Sequence, residues 1–230
     1  MEKSKVIEKL FSHIVTYSYL LIPLSLLFFK PKKKDIIPIS LGVYAIVCFL
    51  LLQVFEILPL NSRKYYFAIY TTFEYASFAF LFWKNITNKE FKRIIIALSV
   101  LFLLFESTYI FVANPKNLDS VPIGIETILV LLFVFFFFYD FARKSGGVFI
   151  YHHHCFWLSV GILIYLGGSF FFYILFYHLT KEQINTFGNI TYLAEIIKNL
   201  LFVAAIYIYI KNPVNKQNDT KASIPYLDMI

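Results

Sequence analysis

The 230-residue chain is 59% hydrophobic and 20% aromatic, with 15% charged residues and a formal net charge of +7. A soluble domain carries about a quarter charged residues, so a water-soluble globular fold is excluded. The basic residues are dispersed among short polar segments, which excludes a nucleic-acid surface as the reason for the charge. Two cysteines, Cys48 and Cys155, do not make a disulfide framework.

Seven apolar runs follow one another at 11–29, 36–58, 65–83, 94–112, 122–141, 156–178 and 188–210. Each is long enough, or nearly so, to cross a hydrocarbon core that takes about 20 helical residues. They are too long and too evenly apolar for barrel strands, which alternate between lumen and lipid. The expected fold is therefore all-α: a polytopic membrane bundle of seven transmembrane helices over residues 1–210, followed by a polar tail over 211–230.

The first run follows a basic N-terminus, lacks a small-residue cleavage site and leads directly into "KPKKK", so it reads as a retained helix, with a kink at Pro23. The second carries Gln53 and Glu56 at i, i+3; the third presents Thr71, Glu74 and Ser77 on one face; the fourth holds Glu106 about two turns from its end. The fifth opens with Pro122 in its first turn and has Glu126 soon after. "YHHHC", residues 151–155, suggests metal ligands. Consecutive helical residues point in different directions, however, so a basic interface segment is the better reading and no metal is expected. In the sixth run Gly161, Gly167, Gly168 and Ser169 predict close helix packing. In the seventh, Thr191, Glu195, Lys198 and Asn199 share a face.

Lysines and arginines set the orientation. Thirteen lie in "KPKKK", "KNITNKEFKR", the Arg143-Lys144 loop and the tail, against seven in the N-terminus and the alternate loops. The positive-inside rule then puts the N-terminus outside and the C-terminus in the cytoplasm. On that topology Glu56, Glu74, Glu106, Glu126 and Glu195 all fall between the midplane and the outer surface, and the inner halves of the spans carry almost no acids.

Ionisable groups in hydrocarbon are costly and face the bundle interior. These acids, with Gln53, Lys198 and Asn199, are therefore expected to line one polar cavity in the outer half that binds a ligand or a proton. Glu195, one turn away, is the nearest counter-charge to Lys198 in sequence, and Glu74 or Glu106 could supply one across the cavity. The alternative is an internal ion-pair network that only fixes helix packing. The aromatic residues, 28 Phe and 17 Tyr, read as largely lipid-facing and interfacial surface. No phosphate loop, HExxH, GxSxG or paired-aspartate motif is present, so no enzyme and no cofactor are expected.

The stretches "YTTFEYASFAFLFWKNITNKEFKR", "FESTYIF", "FWLSVGILIYLGGSFFFYIL" and "IIKNLLFVAAIYIY" together resemble a family of uncharacterised bacterial seven-helix integral membrane proteins. Its members are often encoded near two-component histidine kinases. The resemblance implies the bacterial cytoplasmic (inner) membrane, a lipid surround, a cytoplasmic or membrane histidine kinase as partner, and Glu74 and Glu106 as characteristic positions. It supplies no catalytic residues. Family members often have Ser-Gly-Asn where this chain has Gly167-Gly168-Ser169.

Microbial rhodopsins are a second comparison. In that likeness Lys198 would be the Schiff-base lysine and Glu74 and Glu195 its counter-ions. The helix-seven acid commonly precedes that lysine by four positions, whereas Glu195 precedes Lys198 by three, and the helix-three Arg and Trp pattern is missing. The expected function is a multi-pass sensor or accessory subunit of a signalling system. The competing expectation is a small transporter or proton-coupled permease using the same charges, with Lys198 binding an anionic group.

Overall fold

A computed structural model describes residues 11–31, 35–59, 63–112, 120–144, 149–175 and 179–211. Within them the chain is helical, with no strand. The helices are α1, Phe11–Phe29; α2, Ile36–Ile57; α3, Arg63–Asn85; α4, Lys89–Val112; α5, Ser120–Lys144; α6, His154–Leu175; and α7, Lys181–Lys211. One 3-10 turn, Ile150–His152, leads into α6.

Five of these helices, α1, α2, α4, α5 and α7, contain stretches long and apolar enough to cross a membrane. Of the seven expected spans, these five have that length and hydropathy. α3 has 23 residues but places Thr71, Thr72, Glu74 and four tyrosines among its apolar positions, and the apolar part of α6, His154–Phe170, is shorter. Of the polar tail, residues 212–230 lie outside the described residues.

Two helices begin earlier than hydropathy predicts, because polar caps extend them. α4 starts at Lys89 rather than near 94: Asn88 Oδ1 accepts the amide of Glu90 at 2.9 Å. Asp140 Oδ2, reaching over from α5, accepts Thr87 N at 2.7 Å, Thr87 Oγ1 at 2.8 Å and Asn88 N at 3.3 Å. α7 starts at Lys181 rather than near 188, behind a reciprocal cap in which Gln183 N donates to Thr180 Oγ1 and Thr180 N to Gln183 Oε1.

Consecutive helices are neighbours, α7 closes back onto α1, and α3 also packs on α5. Buried positions recur at three and four residues, as in Leu41, Tyr44, Ala45 and Cys48 or Leu158, Ile162 and Tyr165. Large apolar residues such as Leu27, Phe28, Leu104 and Phe135 face outward, which suits a bilayer and would be costly in water.

The longest interface joins α6 to α7. A Cβ on Gly168 would sit 2.8 Å from Ala194 Cβ, and one on Gly161 would sit 3.3 Å from Leu201 Cβ, whereas Gly167 has nothing within 4 Å. The predicted close packing of α6 is therefore carried by Gly161 and Gly168, seven residues apart on one stripe.

The predicted kink in α1 lies one turn before Pro23. Proline offers no amide to the carbonyl of residue 19 and crowds it, so the helix runs over 11–18, turns at Tyr19 and Leu20, and resumes over Leu21–Phe29. Within the turn Leu20 N donates to Tyr17 O at 3.0 Å and Ile22 N to Tyr19 O at 3.3 Å.

Candidate functional site

We call the end of the bundle at which α1 begins the upper end. There lies a chamber of about 330 Å³, lined by Ser12, Val15 and Thr16 of α1, Leu52 and Phe55 of α2, the first turns of α3, Ile123 and Glu126 of α5, Tyr165, Leu166 and Ser169 of α6, and Tyr192 and Glu195 of α7. Tyr66, Phe67, Tyr70, Thr71 and Glu74 are the α3 contribution. The antiparallel order of the helices brings the starts of α1, α3, α5 and α7 together with the ends of α2 and α6, so Glu74, Glu126 and Glu195 come together at this end.

Beneath the chamber lies a charged network. Lys198 has no exposed side-chain surface, and its Nζ is 3.5 Å from Glu74 Oε1. The same ammonium donates to Tyr44 OH at 2.9 Å and to Tyr19 OH at 3.1 Å, and it lies 3.8 Å from the centroid of the Tyr165 ring. Each tyrosine passes its own proton on: Tyr44 OH donates to Glu74 Oε1 at 2.8 Å, Tyr165 OH to Glu74 Oε2 at 2.9 Å and Tyr19 OH to Glu195 Oε1. Lys198 thus donates to two phenols and forms an ion pair with one carboxylate. Glu74 accepts from two phenols besides its ion pair, so the buried pair has the additional hydrogen bonds that such a pair requires.

The break in α1 serves this network, since the non-helical turn falls at Tyr19, whose hydroxyl joins Lys198 to Glu195. One residue earlier Ser18 Oγ donates to Val15 O at 2.6 Å and accepts from Asn199 Nδ2 at 2.7 Å, tying α1 to α7 a second time.

The expected site residues therefore separate. Glu74, Glu126 and Glu195 line the chamber. Lys198 and Asn199 are wholly buried below it and do not line it, which corrects the expectation of a lysine open to an anionic ligand. The ion-pair partner of Lys198 is Glu74, and Glu195 is reached through Tyr19. Gln53 is half-buried and does not line the chamber, although its neighbour Leu52 does; α2 is rotated so that Leu52 and Phe55 face inward. Glu106, on α4, is 3% exposed but stands apart from the lining, because α4 packs outside α3 and α5. The side chain of Glu56 lies outside the described residues.

Glu106 and Glu126 each hold one buried carboxylate oxygen without a hydrogen-bond partner among the described residues. Glu126 is close enough to Glu74 and Glu106 for their charges to act on it.

Sequence reasoning missed the tyrosines, which it placed largely at the lipid surface. Tyr19, Tyr44 and Tyr165 are buried and supply most of the network's hydrogen bonds. The available signal was depth: all three fall within spans, away from the interfacial ends where tyrosine is usual, and a buried phenol needs a hydrogen-bond partner.

At the lower end the three histidines have different surroundings, although the His153 and His154 rings stack at 4.6 Å. His152 is exposed against Tyr151, His153 packs against the Phe137 and Phe141 rings, and His154 is buried edge-on to Tyr209. Burial pushes the His153 imidazole down to about 4. Among the described residues no three His, Cys, Asp or Glu side chains are grouped to hold a metal ion.

The rhodopsin likeness gains nothing from this geometry, since Lys198 is enclosed by Tyr19, Tyr44 and Glu74 and does not face the chamber. No family model, curated protein or solved structure matches the chain, so the reading of the site rests on its geometry.

Proposed function

We propose that this chain is a seven-helix protein of the bacterial inner membrane, N-terminus outside, acting as a sensor or accessory subunit of a signalling system whose stimulus enters the upper chamber. The observation that carries the reading is the position of the Lys198 network directly under the chamber. It joins α1, α2, α3, α6 and α7 through single side chains, so whatever alters Glu74 or Glu195 from above alters contacts on five helices. A stimulus that binds one packing of the bundle better than another shifts the balance between them. Small chambers with mostly apolar walls and a few convergent polar groups are the usual form of ligand sites. A membrane or cytoplasmic histidine kinase is the proposed reader of the movement.

The test is recovery of the tagged protein from its host's membranes in mild detergent, with mass spectrometry of what co-purifies. Reproducible recovery of a kinase, lost on alteration of the lower-end loops, is the expected result; recovery of the protein alone would overturn the signalling role.

The buried pair itself favours a second reading, a proton-coupled permease with Glu74 and Lys198 as relay. Proton-driven uptake into proteoliposomes that disappears in Lys198→Met would select it over the sensor.

A further inference from the structure

Among the described residues, the lining of the chamber carries three carboxylates and no lysine, arginine or histidine. The nearby ammonium, Lys198, is fully buried, pairs with Glu74 at 3.5 Å and donates to Tyr19 and Tyr44, and it is a single charge against three. At most one of the three carboxylates is neutralised by it.

Glu126 is the least satisfied of the three. It is 97% buried, being 3% exposed. It lines the chamber and holds a carboxylate oxygen with no hydrogen-bond partner among the described residues. Such an oxygen is costly to bury and calls for a donor.

Part of the lining, from α2 and α3, is aromatic. Phe55 lies 4.9 Å from Tyr66 and 5.6 Å from Phe67, and Tyr66 lies 6.1 Å from Tyr70, ring centroid to centroid. Among the described residues no cluster of ligands for a bare metal ion is found, whereas a cation carrying apolar groups matches both the rings and the acids.

We propose that the chamber binds a small organic ammonium ion, with its charged nitrogen at Glu126 and its apolar groups against the α3 aromatic wall. The proposal rests on the reading of the chamber as the stimulus site and names the class of stimulus. The ammonium could arrive from water or as the head group of an amine lipid entering between helices.

The test uses the full chain in nanodiscs of phosphatidylglycerol, which carry no amine head group, and follows unfolding by tryptophan fluorescence. Benzylammonium is compared with its neutral counterpart benzyl alcohol and with the anion benzoate. The expected result is a melting temperature that rises with benzylammonium concentration and stays unchanged with the other two. Glu126→Gln is expected to weaken benzylammonium binding at least about tenfold, the usual consequence of losing a charge-assisted contact. Phe67→Leu, from the wall, is expected to weaken it while leaving the acids in place, and gives a second readout should the Glu126 variant fail to fold.

If phosphatidylethanolamine in the disc competes with benzylammonium, the same chemistry is supported and the source is lipid. Stabilisation by benzoate or benzyl alcohol as strong as by benzylammonium, or no stabilisation by any probe, overturns the proposal. Because the purified chain is used without a partner, that failure is separate from failure to recover a kinase.

Discussion

Replacing Lys198 by Met tests whether the buried network holds the bundle together. The ammonium has no exposed surface and three oxygen partners, so its loss leaves the Glu74 carboxylate buried without a counter-charge. Removing one partner of a buried pair costs about 3–5 kcal/mol. The lower figure applies here, because Tyr44 and Tyr165 continue to donate to Glu74.

Glu74→Gln strands the ammonium instead. The Tyr165 ring, 3.8 Å away, returns roughly 2 kcal/mol by cation–π attraction, so the net loss is again expected near about 3 kcal/mol. The double variant Lys198→Met/Glu74→Gln removes both charges together and should be more stable than either single variant, giving a coupling of at least about 2 kcal/mol. For a chain of this size each kcal/mol moves the melting temperature by about 2–4 °C. Thermal unfolding in nanodiscs should therefore show each single variant lower by about 6–12 °C, with partial recovery in the double. Single variants within about 1 kcal/mol of the parent, or a double variant that loses the sum of the singles, would refute the network as a coupled unit.

Gly168→Ala should destabilise by about 1–3 kcal/mol, because the new Cβ meets Ala194 Cβ at 2.8 Å and two packed helices must part. Gly167→Ala, with open space around it, should be neutral or slightly stabilising, and parallel melts of the two variants check this. Asp140→Asn removes the charge that accepts from Thr87 and Asn88 ahead of α4; a loss of about 1–2 kcal/mol is expected, seen as faster amide exchange in the first turn of that helix. The folded His153 titrates at about 4, whereas an unfolded imidazole titrates near about 6.5, so the unfolded chain takes up the proton first. Stability from the neutral imidazole is complete above about pH 6.5 and lost as pH falls toward 4, by up to about 3 kcal/mol. His153→Phe should remove that part of the acid sensitivity, as judged by melts across this range.

The sequence was sufficient for the class of protein and for the one-sided distribution of its acids. Apolar run length and helical period are local properties, and they identify Thr191, Glu195, Lys198 and Asn199 as one buried face of α7 without knowledge of any neighbour. Helix starts were less legible, because Thr180 and Gln183 or Asn88 and Asp140 extend α7 and α4 through hydrogen bonds that hydropathy does not register.

The partner of Lys198 was decided by tertiary structure. Glu195 is nearer in sequence, but ion pairing depends on the rotation and spacing of separate helices. Gly161 and Gly168 let α6 close onto α7, bringing Tyr165 over the ammonium, while the turn before Pro23 swings Tyr19 between Lys198 and Glu195. A chain read one residue at a time specifies which groups must be buried; which of them meet is fixed only when the helices take their angles and distances.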